Sequence, residues 1–174
     1  MPAAGTPLTR FRLQITTQYQ LRLMTSLQAR ALKERDDFVL LTCHEGGTVT
    51  GVLTVSRGLS ASGAINYRDA EIFRDAHVFS LCNMAVKEGY RRRGIATSML
   101  RSAEAHVLKT CSDERSSIVM VLSCEKYNED AQRLYEEVGY RLDDAWEDPR
   151  WLESIERGAV DVSRRVLMFK QLQR

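Results

Sequence analysis

No stretch of the 174-residue chain comes near the roughly 18 consecutive apolar residues of a membrane-spanning helix. The opening MPAAGTPLTRF carries no apolar core of the secretory kind. Cysteine is sparse and scattered: Cys43, Cys82, Cys111 and Cys124 form no Cys-x-x-Cys pair. That spacing argues against a zinc site and against a secreted disulfide framework. Three of the four lie in apolar runs, where a thiol behaves as a small buried hydrophobe, so a reducing compartment is expected. A surplus of one charge is also missing. The 25 Lys and Arg against 23 Asp and Glu leave only +2, so any basic character is local and no nucleic-acid or membrane partner is expected. With 3 prolines, 44% hydrophobic and 28% charged residues, the composition is that of a globular chain rather than a disordered one. Its length suits one domain over 1–174 with a single sizeable core.

What is present is a regular alternation of elements. Leu21, Met24, Leu27 and Ala31 recur at helical spacing within Thr17 to Asp37. FVLLTCHE reads as a strand, GGT as a hairpin turn and VTGVLTVS as the antiparallel partner. Ser56 to Phe73 is small, polar and aperiodic, hence an exposed loop. AHVFSLCNMAV and SSIVMVLSCE are apolar on both faces and read as central strands. Ala96 to Lys109 is a helix with Met99, Leu100, Ala103 and Val107 on one stripe. Asn128 to Val138 is a second, stopped by Gly139. An acidic, tryptophan-bearing segment, LDDAWEDPRWLESIERG, precedes a last strand, RRVLMFKQL. The order predicts one mixed α/β layer structure.

Between the first central strand and its helix stands KEGYRRRGIA, with four cations and two glycines in ten residues. A strand turning through glycine into a helix leaves N–H groups unpaired at the helix start, which favours phosphate there. Glycine lets a ligand approach the backbone, and arginines add charge-assisted bonds. Neither Gly-x-x-x-x-Gly-Lys-Ser/Thr nor a Gly-x-Gly-x-x-Gly opening the first strand–helix unit is present. On the arginines alone, a solvated charge run and an anion cradle are both open.

Arg91-Arg92-Arg93-Gly94-Ile95-Ala96 resembles the Gln/Arg-x-x-Gly-x-Gly/Ala signature of the GCN5-related N-acetyltransferase (GNAT) superfamily. A second block, Asn128, Ala131 and Leu134-Tyr135-Glu136-Glu137-Val138-Gly139-Tyr140, resembles that family's Asn-x-x-Ala-x-x-Leu-Tyr-Glu-x-x-Gly-Phe segment. The two stand in family order, and the similar layout runs from about Phe38 to the C-terminus. The resemblance implies the GNAT fold, a mostly antiparallel mixed sheet with helices on both faces, and acetyl-CoA as cosubstrate without a metal. It places the pyrophosphate on Arg91, Arg92, Arg93, Gly94, Ile95, Ala96 and Thr97, with Asn128 and Tyr135 also at cofactor positions. It runs the pantetheine arm along Met84, Ala85 and Val86 as an added strand. Trp146 to Leu152 with Arg164 to Met168 is similar, more weakly, to the plant and algal plastid branch, whose members acetylate protein N-termini and lysines. That likeness implies a plastid stroma location with the transit peptide removed, the cytoplasm being the alternative.

The chemistry needs a neutral amine, an oxyanion donor and a proton for the leaving thiolate. By the resemblance Tyr135 protonates the sulfur, and a backbone N–H near Met84 or Ala85 serves as the oxyanion donor. The family's usual basic glutamate, five residues before Asn128, is replaced by Ser123. Glu125, a water held by Asn83, Glu71, Asp75 and His77 are the candidates for the base. A cysteine nucleophile is the weaker option, because Cys43 and His44 are strand neighbours pointing to opposite faces, and Cys124 with His77 or His106 lacks any motif. At pH 7.5 about a third of an α-amine is neutral against roughly 0.1% of a lysine amine, so a makeshift base suits N-terminal α-amines better. Protein N-termini and lysines are the leading acceptors. A small amine (polyamine, drug or amino acid) is the alternative, and a non-catalytic acyl-CoA sensor is the alternative of another class. Asp143, Asp144, Glu147 and Asp148 read as a solvated loop or a lure for a cationic amine.

Overall fold

The computed structural model describes residues 38–58, 73, 75–111, 116–159 and 162–173. The helix expected over 17–37 lies outside the described residues, as does most of the expected loop, Glu71 included. Val39–Arg174 forms one compact unit. The six strands among the described residues make one sheet in the order β1-β2-β3-β4-β6-β5.

Strand β1 (Phe38–Glu45) turns at Gly46 and Gly47 into β2 (Thr48–Arg57). Both glycines have positive φ, 56° and 78°, the backbone that a two-residue hairpin turn requires. β2 runs antiparallel to β3 (Ala76–Val86), β3 parallel to β4 (Ser117–Glu125), and β4 antiparallel to β6 (Arg165–Leu172). The short β5 (Arg141–Leu142) adds an edge antiparallel to β6. The sheet is thus mixed and mostly antiparallel. The parallel β3–β4 pair needs a crossover, which helix α1 (Ile95–Thr110) supplies.

The stripe Met99, Leu100, Ala103 and Val107 is buried against Leu53, Leu81, Met120 and Met168 of the sheet. A Cβ on Gly51 would stand 2.7 Å from Met99 Sδ and 3.1 Å from Ile95 Cγ2. That glycine lets the first turns of α1 lie close on β2. Helix α2 (Glu129–Val138) joins the same core through Tyr135 and Val138. Asn128 caps it, accepting from Ala131 N at 3.1 Å, and Gly139 ends it in the left-handed conformation. On the opposite sheet face Val119, Val121 and Leu167 meet Phe73, Trp146 and Phe169. β4 is covered on both sides, as its unbroken apolar run predicts.

Arg141 and the acidic segment after it hold two elements that the hydrophobic spacing does not announce, β5 and helix α3 (Pro149–Glu156). Asp148 is buried and caps α3, accepting from Arg150 N at 3.2 Å and Trp151 N at 3.4 Å. Its second oxygen accepts from Arg165 N at 2.9 Å, which ties the helix to the start of β6. This acid is therefore a joint in the fold rather than part of a solvated loop.

Candidate active site

The site begins where a ladder stops. β3 and β4 are paired from Ala76↔Ser117 to Leu81↔Leu122, and no further. Beyond that point β3 continues beside β2 as far as Gly51↔Val86, while β4 continues beside β6 as far as Glu125↔Arg165. The cause lies in β3. Its register on β2 slips between Val52 and Thr54, and Asn83 there has a left-handed φ of 54°. An inserted residue bends and twists the strand locally, and this one turns β3 off β4. Residues 82–86 consequently present backbone groups that β4 does not pair, the edge an extended ligand could join.

β3 then runs through a short 3-10 turn, Glu88–Tyr90, into the arginine turn. Arg92 and Gly94 have positive φ, 60° and 76°. Gly94 is the N-cap of α1 and brings no side chain to cap it. The first-turn N–H groups of α1 are left for an outside acceptor, at the positive end of the helix dipole. Nothing lies within 4 Å of where a Gly94 Cβ would stand, so the glycine keeps backbone open to that space. A cleft of about 340 Å³ lies there, between the turn and α2. Val86, Arg91, Arg92 and residues 94–97 line one side, and Asp130, Arg133, Leu134 and Glu137 of α2 the other.

The three arginines separate in placement. Arg91 lines the cleft with its Nε donating to Val86 O at 3.2 Å, and Arg92 lines it too. Arg93 turns the other way. It pairs with Glu45 at 2.9 Å and lies 5.2 Å from the Tyr90 ring centre, joining the β1–β2 hairpin to the turn. It is not among the residues that line the cleft, where the sequence reading expected all three arginines. Arg133, one turn up α2, is a cleft cation that the sequence reading passed over; its signal was its place within the second block. Asn128 lies at the foot of α2 as its cap. Met84 and Ala85 are on the unpaired end of β3, away from the cleft walls.

Tyr135 is buried on the sheet face that carries Cys124. Burial first, then the nearby Cys124 and Cys82 thiols, push its phenol up to about 12. Cys82 stands on β3 and Cys124 on β4, both just past the last paired residues, so the phenol sits over the parting of the strands. Such a phenol keeps its proton at every ordinary working pH. Burial also pushes the Cys124 thiol up to about 11, against the lowering effect of Arg165. A thiol so held is not the thiolate a cysteine nucleophile requires.

Ser123 and Glu125 alternate with Cys124 and so point to the other face of β4. Glu125 is exposed at the strand end, opposite Arg165. Asn83 is half-buried and donates from Nδ2 to Thr54 Oγ1 at 3.2 Å, and Thr54 in turn donates to Cys82 O. His77 bonds Arg57 at 3.4 Å near the start of β3, ~20 Å along the strand from Asn83 at normal strand rise. Asp75 lies farther still. The structure brings Asn83, Glu125, Ser123 and Tyr135 to the parting and leaves His77 and Asp75 at the paired end.

A model of the acetyltransferase (GNAT) family matches residues 8–140. The chain belongs to that family. It is accordingly an N-acetyltransferase with acetyl-CoA as donor. Three solved structures share the GNAT fold at low identity. The PaiA N-acetyltransferase of Thermoplasma acidophilum in complex with coenzyme A is 15% identical, with 97% of this chain and 81% of that one covered and a TM-score of 0.57. The ribosomal-protein-S18-alanine N-acetyltransferase of Escherichia coli is 12% identical over 84% and 77%, at 0.52. Arabidopsis thaliana Naa50 with the bisubstrate analogue CoA-Ac-MVNAL is 14% identical over 75% and 71%, at 0.50. Comparison with curated protein sequences gives no match. The GNAT donor suits the residues present: two cleft arginines, an uncapped helix start and a glycine with open space beside it suit a pyrophosphate. Among the described residues no group of His, Cys, Asp or Glu is placed to hold a metal ion, and no helix is long and apolar enough to cross a membrane.

Proposed function

We propose that this enzyme acetylates the primary amines of proteins, N-terminal α-amines ahead of lysine ε-amines, by direct attack within a ternary complex. The observation that carries the reading is the Tyr135 phenol poised over the gap between β3 and β4, with its proton held by burial. Acetyl-CoA supplies the thioester. Arg91, Arg92 and the N–H groups of residues 95–97 hold its pyrophosphate, and the unpaired edge of Met84, Ala85 and Val86 receives its extended arm. A backbone N–H of that edge stabilises the developing oxyanion. Tyr135 gives its proton to the departing sulfur, on one face of β4. Glu125, on the other face, takes the amine proton, directly or through water beside Asn83. Because Cys124 is buried and protonated, no acyl-cysteine step competes.

Support for a protein acceptor comes from the exposed, makeshift character of Glu125, which favours amines already neutral at pH 7.5. It also comes from two proteins of similar fold, Naa50 in complex with the bisubstrate analogue CoA-Ac-MVNAL and the ribosomal-protein-S18-alanine N-acetyltransferase. The test is CoA release at pH 7.5 with a free-N-terminus peptide, its N-blocked lysine-bearing twin, and spermidine. The free peptide should react fastest, and the lysine peptide should gain on it as pH rises to 9. Tyr135→Phe should lower kcat about 100-fold while leaving acetyl-CoA binding intact. Spermidine outrunning both peptides would overturn the protein acceptor, and a Tyr135→Phe enzyme with wild-type kcat would overturn the acid.

A further inference from the structure

The C-terminal end of α2 is held by one cation that belongs to neither signature block. Lys170, on β6, donates from Nζ to Glu104 of α1 at 2.7 Å and to Val138 O, at the end of α2, at 2.9 Å. Its side chain runs beside Gly139: a Cβ there would stand 3.5 Å from Lys170 Cε. The ammonium also lies 5.8 Å from the ring centre of Tyr140. Both partners are largely shielded, the side chains of Lys170 and Glu104 being 23% and 12% exposed.

Three facts connect this joint to Tyr135. Tyr135 lies one turn before Val138 on the same helix. Tyr140 N donates to Tyr135 O at 2.9 Å, so the two residues are fixed to each other by the helix end. Their rings also meet edge to face, with centres 6.2 Å apart. α2 itself has only ten residues and two buried side chains, Tyr135 and Val138. So short a helix is set by what it packs on rather than by its own stability. The first residues of α1 and the outer face of α2 both line the cleft, and Lys170 is bonded to both helices farther along.

We propose that Lys170 is a positioning residue for acetyl transfer: joined to Glu104 and to the Val138 carbonyl, it fixes α2 against α1 and so fixes where the Tyr135 hydroxyl stands over the strand gap. The proposal rests on the reading of Tyr135 as the acid. A buried pair of this kind is seldom retained for stability alone, since well-packed apolar replacements of both partners are commonly tolerated, whereas removing one partner strands a charge. That property separates positioning from folding.

The experiment uses E104L/K170M in two backgrounds, wild type and Tyr135→Phe, measuring the melting temperature, kcat and the KM for acetyl-CoA. Misplacing a catalytic group by a fraction of a helix turn should lower kcat about tenfold or more, with a melting temperature near that of the parent and a KM little changed. On Tyr135→Phe the same pair of substitutions should cost less than about twofold, because the group it positions is gone. A folded E104L/K170M enzyme with wild-type kcat overturns the proposal, and so does an equal loss in both backgrounds. If Tyr135→Phe alone keeps wild-type kcat, the acid reading has failed and the proposal falls with it, a result seen before either clamp residue is touched. Should E104L/K170M not fold, Glu104→Gln carries the test, keeping the shape while removing the charge. It should lower kcat about threefold in the wild-type background and leave Tyr135→Phe unchanged; wild-type kcat, or the same loss in both backgrounds, overturns the proposal.

Discussion

Strands β3 and β4 are one parallel pair over six residues and two separate strands beyond them, and the halves hold different residues. Along the paired half, from Ala76↔Ser117 to Leu81↔Leu122, backbone groups satisfy one another and the side chains are mostly core. His77 sits there bonded to Arg57. Along the parted half the backbone of β3 is open toward β4, two thiols flank a buried phenol, and the turn that follows leads to a cationic cleft. One left-handed residue, Asn83, separates the two halves. The lesson is that the proposed site is marked by where the β3–β4 ladder stops, with Tyr135 and Glu125 brought to it on opposite faces of β4.

The largest effect should come from closing the cradle. Gly94→Ile places a branched side chain at φ 76° in space now empty, and should weaken acetyl-CoA binding about 100-fold or more, measured by calorimetry. The left-handed backbone adds a stability cost of about 1–2 kcal/mol, so a folded variant remains available for the measurement. A full acetyl-CoA thermal shift in that variant would remove the cradle from the parted half. Next is the support outside the gap. Asp148→Ala loses the cap of α3 and the bond to Arg165 N, and should lower stability by about 2 kcal/mol, read from urea unfolding.

A pH effect separates the halves more finely. Unfolded, Cys124 and Tyr135 titrate near 9.0 and 10.0; folded, they are pushed up to about 11 and about 12. Between pH 9 and 12 the unfolded chain therefore binds fewer protons than the folded one, so stability falls as pH rises and is unaffected by these groups below pH 9. Melting temperatures from pH 8 to 11 should decline less steeply in Cys124→Ala/Tyr135→Phe than in the wild type. The smallest effect is expected at the paired end: His77→Ala should leave kcat within about twofold of wild type, since His77 lies ~20 Å along β3 from Asn83.

Much of this was legible in the sequence because local signals agreed. The double-sided apolar runs of β3 and β4, the Gly46–Gly47 turn and the α1 stripe each have one structural solution. The Asn128 cap and Gly139 stop bracket α2 in the same way. α3 was missed because its apolar residues, Trp151, Leu152 and Ile155, are too few to show a period, although Asp148 before Pro149 is a helix-start signal. Arg93 stands apart from the cleft for a different reason. Three consecutive arginines look alike in sequence, and only the hairpin brought beside them by the fold, with Glu45 at its end, draws one away. The same limit applies to Lys170, whose partners lie 66 and 32 residues distant. The bulge at Asn83 had no local signal, since asparagine is at most permissive of a left-handed backbone.

The most direct test of the difference between the two halves is amide hydrogen exchange with and without acetyl-CoA. Binding at the parting should slow exchange at residues 82–86 and at 91–97, and leave residues 76–81 of the same strand unchanged. Equal protection along the whole of β3, or protection confined to the paired half, would contradict the account.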